Sequence, residues 1–127
     1  MIDVANKCYT RVKTAVNALI KGASQTYIDT PPDFPYMYFN QVDNPETASD
    51  LDGNENAVKP MTEITIYTMG DTKLTDAKKI MALADTQMKS MGYIRTFGPR
   101  EVTNITNTNI CRLLSRYSRV IGSGDVF

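Results

Sequence analysis

The residues whose type and spacing come nearest to a chemical site are Asp50, Asp52, Asn54 and Glu55, closely spaced oxygen donors of the kind that hold a calcium ion. An EF-hand loop requires glycine at its sixth position and a bidentate glutamate at its twelfth. Counted from Asp50, glycine comes fourth (Gly53) and the twelfth position is Met61, so the run reads as a solvated loop or assembly arm, with no metal. Cys8 and Cys111 lie far apart among apolar neighbours without a Cys-x-x-Cys spacing, which points to reduced, buried thiols. Histidine is absent. That removes Ser–His and Cys–His nucleophile pairs, histidine metal ligands and the usual base near pH 7. Glycine-rich phosphate loops, paired catalytic carboxylates and nucleophile elbows are missing as well. The expectation is a protein that is not an enzyme, with no catalytic residues and no cofactor.

Charge is the remaining chemical signal. Lysine plus arginine and aspartate plus glutamate both number 14, so the chain is balanced, but not evenly. Residues 25–58 contain Asp29, Asp33, Asp43, Glu46, Asp50, Asp52 and Glu55 and no lysine or arginine. Residues 89–121 contain Lys89, Arg95, Arg100, Arg112, Arg116 and Arg119 against Glu101 alone. Segments of opposite sign suit head-to-tail docking between copies, and equally suit plain solvation of loops and strand edges. The candidate interface residues are Asp43, Glu46, Asp50, Asp52 and Glu55 on one side, and Arg95, Arg112 and Arg116 on the other. Arg112 and Arg116, with Arg95, would form a basic stripe on one sheet face. Specific nucleic-acid binding would also need stacking aromatics and a basic chain, and a pI of about 6.2 argues against it.

The elements that must position these residues follow from periodicity. With 127 residues the chain is sized for one domain, and it has no apolar run long enough for a transmembrane helix. Asp3 can cap a helix whose stripe is Val4, Cys8, Val12, Ala15, Val16, Leu19 and Ile20, ended by Gly22. A connector through Pro31 and Pro32 leads to an aromatic strand over 35–41. Residues 43–59 read as a flexible acidic loop, followed by a β-branched strand over 60–68. A second helix, capped by Thr75, buries Ala77, Ile80, Met81, Ala84, Met88 and Met91, leaves Asp85 outward and closes at Gly92. Strands over 93–97, stopped by Gly98-Pro99, and over about 109–121 flank a loop over 100–108, and 122–127 reads as a frayed tail. The expected fold is α+β: two helices on one face of a four-stranded, mostly antiparallel sheet in the order α-β-β-α-β-β.

Six blocks of the chain also carry a resemblance. They are Phe34-Pro35-Tyr36-Met37-Tyr38-Phe39, Asp50-Leu51-Asp52-Gly53-Asn54-Glu55, Glu63-Ile64-Thr65-Ile66-Tyr67, Asp76-Ala77-Lys78-Lys79-Ile80, Met91-Gly92-Tyr93-Ile94-Arg95-Thr96 and Cys111-Arg112-Leu113-Leu114-Ser115-Arg116-Tyr117. Their order resembles the small tail-terminator (tail-completion, minor capsid) proteins of long-tailed siphophages. The resemblance implies a non-enzymatic homo-oligomeric ring, typically a hexamer, at the tail–head junction of a virion, made in the bacterial host cytoplasm. Its implied partners are the tail tube protein and a head-completion or stopper protein, with no membrane and with DNA able to pass through the ring. Two other readings stay open: another head–tail connector component, adaptor or stopper, and a small monomeric protein-binding module.

Overall fold

A computed structural model of the protein describes residues 3–28, 31–49, 55–103 and 109–122. The first helix, α1, spans Ala5–Val16. The Asp3 carboxylate accepts the Ala5 N–H at 3.0 Å, satisfying one of the free donors of the first turn. Val4, Cys8, Val12 and Val16 follow at every fourth position and are buried. The helix stops short of the expected Ile20, and Leu19 leaves the stripe with 38% of its surface exposed.

Strand β1 (Gly22–Ser24) then runs parallel to β2 (Tyr36–Asp43), inside what the prolines suggested was only a connector. Next come two short strands, β3 (Glu46–Ser49) and β4 (Glu55–Val58), before the long β5 (Met61–Met69). Helix α2 covers Lys73–Ser90. It starts ahead of Thr75: Thr72 takes the cap position, and its hydroxyl donates to Asp76 at 2.9 Å. The expected stripe of Ala77, Ile80, Met81, Ala84, Met88 and Met91 is buried throughout, and Gly92 ends the helix at φ +84°. The chain closes with β6 (Ile94–Thr103), β7 (Ile110–Ser118) and β8 (Ile121–Gly122).

Two sheets result. The main sheet has five strands in the order β1-β2-β5-β7-β6, antiparallel except for the β1–β2 pair. The second is a small antiparallel sheet in the order β3-β4-β8. The α+β class and two-helix layer stand, whereas the four-stranded sheet becomes five plus three.

Three local expectations change with it. The acidic stretch is a two-stranded ribbon, β3 with β4, because its backbone groups pair with one another and with β8 although its side chains carry little apolar signal. Only residues 50–54, with Asp50 and Asp52, lie outside the described residues. Strand β6 does not stop at Gly98-Pro99 but runs through it, with register shifts on either side of Phe97. An edge strand tolerates a proline there because the missing N–H costs no ladder bond inside the sheet. Gly98 sits at φ +79°, and a Cβ on it would collide with the Leu114 carbonyl oxygen, so no other residue fits without a backbone shift. Finally, Gly122 is paired within β8, while 123–127 lie outside the described residues.

Both helices cover one face of the main sheet. Met37, Phe39, Ile64, Ile66, Leu113 and Tyr117 from the sheet meet Val12, Val16, Ile80, Met81 and Met88 from the helices in one buried cluster. Each large side chain buried in this way contributes roughly 1.5–3 kcal/mol through removal of apolar surface from water. Val58 of β4 and Ile121 of β8 are buried in the same cluster, which roots the small sheet in the main core.

Candidate functional site

The face of the main sheet away from the helices carries the charged residues. Side chains alternate along a strand, so the positions between Cys111, Leu113, Ser115 and Tyr117 on β7 point away from the core. Those positions are Ile110, Arg112, Leu114 and Arg116. Cross-strand register builds three rows from them: Tyr67–Arg112–Val102, Thr65–Leu114–Arg100 and Glu63–Arg116–Phe97. The two sides of this face differ. Near β1 and β2, Ile28 and Phe34 of the connector pack with Tyr38 over the buried side chains of Tyr36, Tyr67 and Ile110. Tyr27 and Tyr38 meet edge to face at 5.9 Å. The aromatic half is therefore closed over by the chain's own connector.

The β7–β6 half is bare and forms a groove of about 450 Å³, walled by Arg100, Arg112, Arg116, Phe97, Leu114 and Glu63. The Arg116 Nε donates to Glu63 Oε2 at 2.9 Å, neutralising the one carboxylate of the three rows. Two guanidiniums approach the Phe97 ring, Arg116 at 5.4 Å and Arg100 at 6.0 Å from its centroid. Both distances fall within cation–π range, which holds the two planar cations in place. Glu101 also borders the groove, but its register partner is Leu113, so its side chain takes the helix-side parity. Arg112 is the exception: its Nε is buried and makes no hydrogen bond among the described residues. Its charge reaches the Tyr67 phenol, whose pKa burial pushes up and Arg112 pulls back down.

The candidate residues read from the sequence are thus partly brought together. Arg112 and Arg116 share a face, as their spacing requires. Arg95 does not join them. It pairs in register with Tyr117, on the helix side, and its guanidinium meets the Asp85 carboxylate of α2 at 3.2 Å. Arg100 takes the third place instead. Arg95 and Arg100 are five positions apart and so face opposite sides of the strand, the two register shifts flanking Phe97 cancelling between them; the first shift brings Phe97, which would otherwise share the Arg95 face, opposite Arg116. Among the acidic candidates, Asp43 is exposed at the end of β2, and its carboxylate accepts the Asn44 N–H at 2.8 Å. Glu46 opens β3 and Glu55 opens β4.

Two other polar clusters are structural. Asp85 is not outward as its helix position suggested but only 15% exposed, accepting from the Tyr117 hydroxyl at 2.7 Å and paired with Lys89 and Arg95. Burial alone would raise its pKa; hydrogen bonds from Lys89 and Tyr117 and the charge of Arg95 outweigh that and hold the carboxyl below its ordinary value. Cys8 is buried with its Sγ 3.4 Å from the Tyr93 hydroxyl, and burial pushes the pKa values of Cys8 and Cys111 up, which keeps both thiols protonated and unreactive. Among the described residues there is no group of three or more carboxylates or thiols positioned to hold a metal ion. Nor is any described helix long and apolar enough to cross a membrane. No protein-family model matches the sequence, and no curated protein matches it.

Proposed function

We propose that this chain is a non-enzymatic structural subunit of a homo-oligomeric ring, a hexamer in the tail-terminator pattern, that ends the tail tube of a long-tailed bacteriophage. The ring would present its other side to a head-completion or stopper protein at the tail–head junction. The observation that carries this reading is the separation of two surfaces of opposite sign onto different substructures. An arginine-walled groove occupies the bare half of the main sheet, while Glu46 and Glu55 of the acidic run open the two ribbon strands of a second sheet. Two different, complementary patches on one subunit make a heterologous contact, and repetition of that contact around an axis closes a ring.

The monomeric binding-module reading draws on the free edge of β6, but that edge carries Pro99, a register shift on either side of Phe97 and the charged side chains of Arg95 and Arg100. These are devices that discourage strand addition. An adaptor or stopper would share the ring architecture and differ in partner.

The test is electron microscopy of tail tubes assembled with and without the protein, alongside light scattering of the isolated chain. The expected result is tubes of defined length that join heads only when it is present, with a mass that is a small multiple of 14.2 kDa. Tubes that stop at their normal length in its absence would overturn the proposal.

A further inference from the structure

We infer that the groove is the seat of the acidic ribbon of a second copy of this chain, with the buried Arg112 Nε as the donor that receives one of its carboxylates. This deepens the ring reading and rests on it for the identity of the occupant. Arg112 is the point of departure because its Nε–H is out of water and has no acceptor among the described residues, a state relieved when its half-buried guanidinium, which lines the groove, turns to an incoming carboxylate. The groove around it is pre-shaped: Glu63 is already taken by Arg116, and Arg100 and Arg116 both rest against Phe97, so Arg100 and Arg112 remain as cations for a partner. Held side chains give up little freedom on binding.

Charge complementarity selects the occupant. Residues 43–58 contain five carboxylates, Asp43, Glu46, Asp50, Asp52 and Glu55, and no lysine or arginine. Among the described residues, none of the ribbon lines the chain's own groove, and β4 is tied to β8 on the small sheet. Beside the groove, Met61 and Ile94 share one row of the bare face, and Ile94 is 71% exposed, which supplies an apolar rim against which a ribbon can lie. A nucleic acid fits less well. The aromatic half of this face is covered by Ile28 and Phe34, leaving Phe97 as the one ring among the described groove residues, already in contact with two arginines.

The test uses the full chain and a fluorescent synthetic peptide of residues 43–58, followed by anisotropy at low protein concentration. The peptide is expected to bind, to weaken as salt is raised, and to lose at least tenfold in affinity to R112Q, with R112K between the two because it keeps the charge but lacks the planar donor. Circular dichroism and melting of each variant confirm that the sheet is intact. The seat would be refuted by any of three results: equal binding of a peptide with every Asp and Glu replaced by its amide, unchanged affinity in R112Q, or displacement of the peptide by a single-stranded oligonucleotide at lower concentration than by unlabelled peptide. The two proposals fail separately. Rings that persist in R112Q overturn the seat and leave the ring reading standing. A chain that binds the peptide and self-associates, but closes no ring and ends no tubes, keeps the seat and overturns the ring.

Discussion

On the helix side of the main sheet, Met37, Phe39, Ile64, Ile66, Leu113 and Tyr117 are at most 2% exposed beneath α1 and α2. On the other side of the same strands, Glu63, Arg112 and Arg116 surround a bare groove, and Phe97 and Ile94 reach solvent. The strands are shared, so backbone pairing cannot account for the contrast. It comes from side-chain parity alone: one alternation is aliphatic and sulfur-rich, the other mixes arginine, carboxylate and ring. A sheet with one solvated face ordinarily alternates apolar with polar. Here the solvated half of the outer face carries cations that only partly find partners among the described residues, which is what the proposed acidic occupant would supply.

Substitutions on the two faces should therefore differ in what they break. Phe39→Ala, on the covered face against Tyr9 of α1, is expected to cost about 3–5 kcal/mol of unfolding free energy in a urea titration, because the helices cannot collapse into the space. A loss under about 1 kcal/mol would show that the helix layer is loosely packed. Asp85→Asn should cost about 1 kcal/mol at pH 7, a value held down by the exposure of its Lys89 and Arg95 partners. The folded Asp85 carboxyl titrates below its ordinary value, so its contribution is present above the unfolded carboxylate pKa and is lost as pH falls through the folded one. The difference between the native chain and the variant should accordingly shrink below about pH 4 in melts run across pH. Ile94→Ser, on the bare face, should change stability by less than about 0.5 kcal/mol yet reduce self-association in sedimentation. If it instead lowers the melting temperature sharply, Ile94 belongs to the core and the bare face is smaller than described.

The covered face was legible in the sequence and the bare one only in part. The α2 stripe and the β7 alternation rest on long apolar periodicities, and both place their residues as expected. Arg112 and Arg116 inherited that reliability from β7. Arg95 and Arg100 did not, because no long apolar alternation marks the faces of β6, and Phe97 reaches the bare face only through the register shift before it. Gly98-Pro99 looked like a stop since both residues are turn formers, and only the edge position of β6 makes them compatible with a strand. The ribbon escaped notice for a different reason. Its pairing is made by backbone groups, and among its described side chains Val58 is the one that anchors in the main core.

That anchor ties together two parts of the chain more than sixty residues apart. Val58 and Ile121 sit opposite each other in the small sheet and dip into the same interior as the helices. A pull on the ribbon is thus shared with β8, and cleavage just after Val120 would take away that share and leave Val58 alone to hold the described part of the ribbon to the core.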